Sequence, residues 1–386
     1  MKVVYVYPQF AHAAGTERIL IEKMNYLAEV YGNDVVMLTY EQGYHPVAFP
    51  LSPKVQHVDL DVRYYPLYQY NKIRRFYQWR KLEKLLQSRF NDFMSSYRPD
   101  IIISTTYYAE VLGLIVKCPV SCVRVLESHI DRRFILSNDP VNRRSLLRWA
   151  HMRYHMSLLT YRARKLDLLV ALNQEDAKDW SRFLRTKVIT NVVHLNSSGR
   201  VASQDNKRVI FVGRYTEQKG IPDLFKIWQL VHSKYPDWYL DLFGEGELLN
   251  DISAEAERLN MNIHIHQSDH HIFDRYMESS IFVLTSLYEP FGLVMPEAMS
   301  CGLPVVSFDC PTGPADIITD GVDGYLIQKR DIQLFAEKLC LLIESPDLRK
   351  KMGAAAIVSS QRFSAEKIMS KWENLFEELY IQHHNR

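Results

Sequence analysis

Short β-rich runs alternate with helical patterns along this chain, in two series separated by a polar stretch that lacks apolar periodicity. The first series comprises Val3 to Tyr7, Glu17 to Val30 and Val35 to Thr39, then Ile101 to Ser104, Cys122 to Leu126 and Leu168 to Leu172. Such alternation requires crossover connections, hence a mainly parallel sheet with helices on both faces. Asn196 to Asn206 (NSSGRVASQDN) reads as an interdomain linker. Beyond it, Arg208 to Val212 is a strand, Pro222 to Tyr235 a helix with Pro near its first turn, Tyr239 to Phe243 a strand and Leu248 to Leu259 a helix. Ile281 to Ser286 is again a strand, a helix from about Val294 to Ser300 stops at Gly302-Leu303-Pro304, and Val305 to Phe308 returns as a strand. The fold class is therefore α/β, with two doubly wound Rossmann-like domains, 1–197 and 205–365, and a helix over 366–386 expected to cross back to the first. Domains of this kind bind ligands at the carboxyl ends of their strands, so a cleft that the two face is the expected site.

The 386 residues suffice for two cores, with 47% hydrophobic content. No run approaches the ~18 consecutive apolar residues of a spanning helix. The apolar run Val3 to Tyr7 ends at Pro8, shorter than the ~7 to 15 residues of an export signal, so the Ala11-His12-Ala13 resemblance to a cleavage site is set aside. Five cysteines, Cys118, Cys122, Cys301, Cys310 and Cys340, are scattered without paired metal-ligand spacing. A reducing, cytoplasmic location is expected.

The formal net charge of +2 conceals an asymmetry. Met1 to Ser197 carries about +10 and the remainder about −8. Two segments hold much of the excess: Lys72 to Arg89, with seven basic residues against Glu83, and Arg143 to Lys165, with seven and no acid. On a helix, Trp79, Leu82, Leu86, Phe90 and Phe93 form an apolar stripe opposite Arg74, Arg80, Lys81 and Lys84. That pattern suits a helix lying on an anionic membrane, and equally a domain helix packing on a sheet. The acidic second half and the lack of a recognised motif argue against nucleic acid as a partner.

Chemistry concentrates in the second series. After the strand ending at Val212 comes Gly213-Arg214-Tyr215-Thr216-Glu217-Gln218-Lys219-Gly220 and a helix start. Two cations and free N–H groups there suit a diphosphate, or else form a βα loop with exposed basic residues. Gly244-Glu245-Gly246-Glu247 allows close backbone approach at the next strand end, a weak signal by itself. Ser286 to Met299 (SLYEPFGLVMPEAM) places Glu289 in a loop and Glu297 on the following helix, with Gly292 between. A helix carboxylate can accept both hydrogen bonds of a ribose diol, and the amides of Phe291, Gly292 and Leu293 can grip hydroxyls or phosphate.

These residues resemble the retaining nucleotide-sugar glycosyltransferases of family 4, which have the GT-B two-domain fold. The resemblance covers nearly the whole chain and is most specific from Phe211 to Leu326, through GRYTEQKG, LFGEGE, YEPFGLVMPEAMSCGLPVV and CPTGPADIITDGVDGYLI. With Gly15-Thr16-Glu17-Arg18 and Thr312-Gly313-Pro314, it looks like the branch that builds bacterial capsule, O-antigen or lipid-linked glycans. The resemblance implies that Arg214 and Lys219 hold the donor diphosphate, Glu297 the ribose and Glu289 the sugar hydroxyls, with Gly15, Gly213 and Glu245 also on the donor. Phe291, Gly292 and Leu293 would supply amides, and His129 would stand beside the reacting sugar. Three departures stand out. Ala14-Gly15 replaces a frequent pair of glycines, Thr190-Asn191-Val192-Val193 lacks the usual proline or glycine after Asn191, and Asp59-Leu60-Asp61 mimics a metal-binding DxD but reads as a surface strand.

The expected protein is a cytoplasmic enzyme, peripheral on the inner face of the plasma membrane. It would move a hexose or N-acetylhexosamine, UDP-linked by family habit, to a lipid-linked oligosaccharide with retention of configuration. Arg214 and Lys219 would offset the leaving charge without an essential divalent metal or other cofactor. Two other classes stay open: a nucleotide-sugar epimerase of the same fold, and a non-catalytic nucleotide- or glycan-binding module.

Overall fold

The computed structural model describes residues 1–12, 15–133 and 146–385, with side chains at 146–148 and 151 left aside. Ala14 and the Arg143-Arg144 part of the second basic segment lie outside the described residues. Thirteen strands form two all-parallel sheets among those residues. The first sheet holds β1 (Lys2–Val6), β2 (Asp34–Thr39), β3 (Val55–Asp59), β4 (Ile101–Thr105), β5 (Val123–Ser128), β6 (Leu168–Ala171) and β7 (Thr186–Val188), in the order β3-β2-β1-β4-β5-β6-β7. In the second, β8 (Arg208–Val212), β9 (Tyr239–Phe243), β10 (Ile263–His266), β11 (Ile281–Leu284), β12 (Val305–Phe308) and β13 (Gly324–Ile327) are ordered β10-β9-β8-β11-β12-β13. Both orders are doubly wound, with the reversal beside β1 and β4 in one sheet and beside β8 and β11 in the other. Every residue of β4, β6, β11 and β12 is buried, as expected where helices cover both faces of a parallel sheet.

The chain divides into two compact units, Met1–Ile189 with Met369–Arg386, and Thr190–Ile368. The helix Ala365–His384 thus has its residues from Met369 onward in the first unit. The boundary falls earlier than position 197. Val193 N donates to Phe363 O at 3.0 Å, Asn196 N to Ser300 Oγ at 2.9 Å and Ala202 N to Cys301 O at 2.9 Å, so the polar stretch is stitched onto the second unit. All five cysteines are free and buried. No helix among the described residues is long and apolar enough to cross a membrane.

The basic helix spans Lys72–Tyr97 and corrects the expected geometry. Leu86, Phe90 and Met94 are buried, and Leu82 and Phe93 pack against the same core. The apolar stripe is therefore a core face, not a membrane face. At about 100° per residue, Ile73 and Tyr77 fall away from the core face, with Arg74, Arg80, Lys81 and Lys84. Those two are 74% and 69% exposed. Under the first half of the helix lies a cavity of about 960 Å³ lined by residues of the first unit, including Tyr40, Tyr64, Phe76, Trp79, Glu83 and Arg162.

Asp59-Leu60-Asp61 is occupied structurally. Asp59 accepts from Thr39 Oγ1 and Gly43 N, both at 3.0 Å, and Asp61 pairs with Arg63 at 2.8 Å.

Candidate functional site

In the second unit, the loops after β8 and β11 leave the strand ends at the sheet's reversal point, where doubly wound domains open a crevice. Gly213 to Gly220 follows β8, and a one-turn 3-10 helix at Glu217–Lys219 leads through Gly220 into the helix Ile221–His232. Gly220 has φ 62°, and a Cβ there would overlap the carbonyl of Thr285. The loop must pass that close. Thr285 Oγ1 donates to Lys219 O at 3.0 Å, Leu287 N to Gln218 O at 2.7 Å and Gln218 Nε2 to Tyr288 O at 3.0 Å. These bonds lock the two loops together.

The lock sets one ion pair. Lys219 Nζ lies 2.5 Å from Glu289 Oε2, and each side chain is 10% exposed. Ser286 Oγ donates to the same oxygen at 3.2 Å. From the far side Arg330 donates to Ser286 O at 2.8 Å and to Thr285 O at 3.1 Å, and it pairs with Asp223 at 2.6 Å. Glu289 is fixed from its own backbone as well: its N donates to Pro311 O, while Thr312 N and Gly313 N donate to its carbonyl at 3.2 and 2.7 Å. Gly292 at φ 89° has no room for a Cβ, which would stand 2.6 Å from Met295 Cε and 2.9 Å from Glu289 Cγ.

The other expected donor residues sort around this pair. Arg214 is exposed and touches Gln218 at 3.3 Å. Gly213 N donates to Phe243 O at 3.0 Å, and any Cβ on Gly244 would overlap Gly213 O, so these loops meet backbone to backbone. Glu245 accepts from Ser268, and Tyr276 OH donates to Glu297 at 3.4 Å. Burial, with Glu297 beside it, pushes the Tyr276 phenol well above its ordinary value. Phe291 is not a ligand-facing ring: it is 2% exposed and packs edge-on to Phe363 at 5.3 Å. Its side chain anchors the loop, which leaves its amide, with those of Gly292 and Leu293, as the part open to function.

In the first unit His129 directly follows β5 and is 7% exposed, so it is no surface histidine. Its Nε2 donates to Glu127 Oε2 at 3.1 Å. Lys23 takes the other oxygen, 2.6 Å from Oε1, and sits 3.5 Å from the centroid of the Trp372 ring on the returning helix. Burial opposes the charge on Glu127, yet Lys23 and His129 outweigh it and hold the carboxyl below its ordinary value. Gly15 opens the helix Gly15–Glu29, where a Cβ would meet nothing within 4 Å, so the protein itself imposes no glycine there. Lys23 and Arg330 carry no signal in the sequence, because their partners Glu127, Ser286 and Asp223 lie far off along the chain. Glu127 and Ser286 do carry one, since His129 and Glu289 follow within three residues of them.

A family model described as glycosyl transferases group 1 matches residues 196–358. The amylovoran biosynthesis glycosyltransferase AmsD of Erwinia amylovora is 33% identical over 242 residues, covering 57% of this chain and 68% of that protein. An uncharacterized glycosyltransferase of Haemophilus influenzae is 29% identical over 214 residues, 54% of this chain; the match spans 61% of that relative's length. Among solved structures, Anabaena HepE in complex with UDP and glucose superposes with a TM-score of 0.69 at 18% identity, covering 98% of this chain and 99% of that one.

Proposed function

Since this chain belongs to the glycosyl transferases group 1 family and has the GT-B fold, we propose that it transfers a hexose or N-acetylhexosamine from a UDP-sugar to a lipid-linked glycan, retaining the anomeric configuration. The observation that carries this reading is the Lys219–Glu289 pair, held at the strand ends by two interlocked loops. A cation and a carboxylate fixed side by side match a ligand that presents phosphate oxygens next to sugar hydroxyls. On binding, Lys219 and Arg214 would offset the charge that builds on the departing diphosphate, and Glu289 would accept from the sugar. Loop amides at Phe291, Gly292 and Leu293 and the Glu297 carboxylate would complete the donor contacts. The presence of UDP and glucose in the Anabaena neighbour supports a UDP donor.

No carboxylate stands out as the nucleophile of a double displacement, and same-face attack with the leaving phosphate as base is the mechanism we favour. His129, fixed through Glu127 and Lys23, would lie against the reacting sugar. In this reading the acceptor uses the first unit, whose large cavity offers aromatic and basic walls to a glycan diphosphate. The enzyme would work at the inner face of the plasma membrane through Ile73 and Tyr77 with Arg74, Arg80, Lys81 and Lys84 around them.

The test is a thermal-shift panel of UDP- and GDP-sugars, followed by NMR of the product formed with undecaprenyl-diphosphate-linked acceptors. Stabilisation by a UDP-sugar and a product of retained configuration are expected. An inverted product, an epimerised donor in the absence of acceptor, or turnover lost on chelation and restored by metal would overturn the reading. Co-sedimentation with anionic vesicles that survives charge reversal at Arg74, Arg80, Lys81 and Lys84 would overturn its membrane part.

A further inference from the structure

The fold brings a carboxylate and two imidazoles together across neighbouring strands of the second sheet. Strand alternation sends His264 and His266 of β10 to one face, and the parallel register sets His264 against Asp241 of β9. Asp241 is 2% exposed. His264 Nδ1 is 2.9 Å and His266 Nε2 3.4 Å from the same oxygen, Asp241 Oδ1, and the three donor atoms all lie within 4.8 Å of one another. The other oxygen, Oδ2, accepts from Arg208 Nη1 at 2.9 Å.

We infer that Asp241, His264 and His266 form a binding site for one borderline divalent cation of the zinc, cobalt or nickel class. Bonds of about 2.1 Å from one ion place neighbouring ligand atoms roughly 3.0 to 3.4 Å apart, close to the 2.9 and 3.4 Å that separate Asp241 Oδ1 from the two ring nitrogens. Two imidazoles and a carboxylate are the donors such ions select over magnesium or calcium. Arg208 does not occupy the ion's position, since it holds Oδ2 while the ion takes Oδ1. It acts as the outer hydrogen bond that orients a ligating carboxylate.

Both rings are set in advance. The His264 ring stacks on Tyr239 with centroids 5.4 Å apart and the His266 ring on Phe243 at 4.4 Å, so β9 presents Tyr239, Asp241 and Phe243 as alternate residues of one face. The histidines are 44% and 41% exposed, which leaves water to fill the remaining coordination positions. His266 also lines a pocket of about 540 Å³ that includes Asp269, His270, His271 and Glu278, an entry path rich in ligand atoms. Because β10 is an edge strand, the ion would clip the edge to its neighbour. This inference is separate from the proposed transfer reaction, which assigns no metal to it.

The experiment titrates Co²⁺ into the metal-stripped full-length protein, reading its visible absorption bands, with Zn²⁺ competition and thermal melts alongside. We expect one Co²⁺ per chain, bands displaced by Zn²⁺, and a raised melting temperature. His264→Ala and His266→Ala should each weaken binding at least tenfold and abolish the melting shift, while a His383→Ala/His384→Ala control should bind like the wild type. Circular dichroism verifies that the exposed-histidine variants stay folded. Absence of the bands, or bands kept by both single variants, would overturn the site without touching the glycosyltransferase reading.

Discussion

Replacing Lys23 by methionine removes one partner of Glu127 and keeps most of the side-chain length. Both members of the pair are 4% exposed, and the ammonium also faces the Trp372 ring. Breaking a buried ion pair from one side costs about 3 to 5 kcal/mol, because the other charge is stranded. His129 still donates to Glu127 in the variant and methionine still packs on Trp372, so the lower end applies, about 3 kcal/mol. That is a large share of the roughly 5 to 15 kcal/mol by which a folded domain is stable. The pH dependence follows from Glu127, whose carboxyl is held below its ordinary 4.5. A depressed carboxyl contributes stability that is complete above the unfolded value and lost as pH falls through the folded one. The gap between wild type and Lys23→Met should therefore be full at pH 7 and narrow below about pH 4. Urea unfolding followed by tryptophan fluorescence, on Lys23→Met, Glu127→Gln and the double variant, measures it. The double variant should recover at least about 1 kcal/mol over the sum of the singles. A loss under about 1 kcal/mol at pH 7, or an equal loss at both pH values, would refute the reasoning.

Three further outcomes are expected. Lys219→Met and Glu289→Gln should each abolish the UDP-sugar thermal shift while their stability effects couple by more than about 1 kcal/mol, measured as a double-mutant cycle; additive effects would mean that the pair does not act as one unit. Gly292→Ala should destabilise by at least about 1 kcal/mol, seen as a lower melting temperature, because of its positive φ and because the Met295 methyl and Glu289 would have to shift. Asp176, pushed by burial up to about 6, stabilises fully only below its ordinary 3.8, and that contribution is lost as pH rises through the folded value. Asp176→Asn should therefore raise the melting temperature at pH 7.5 and leave it unchanged at pH 4, and a variant equally stabilised at both would contradict the assignment.

What the sequence made legible was local. Arg208 to Val212, Tyr239 to Phe243 and Val305 to Phe308 are strands at the expected residues, because buried parallel strands are short apolar runs bounded by turns. Glu289, Gly292 and Glu297 were found together since one loop and one helix carry them all. The strand Ile263–His266 has no comparable signal: its alternating residues are only four, and its partner Asp241 lies on the neighbouring strand. The Lys72–Tyr97 helix shows the other limit. Periodicity identified its apolar stripe but not what covers it, and that is a core lying beneath its second half.

The returning helix makes the first unit discontinuous in the order of synthesis. Trp372 covers Lys23, Glu373 accepts from Asn33 at 2.9 Å, and Glu378 pairs with Arg185 and Lys187 at 2.6 and 2.5 Å. All of these arrive only after the entire second unit has left the ribosome. At roughly 5 to 20 residues per second, Lys23 and Glu127 wait many seconds as a nascent pair with no aromatic lid. The first half to be made is therefore among the last to be finished, and a chain interrupted after Ile368 would release a complete second unit and an unsealed first one.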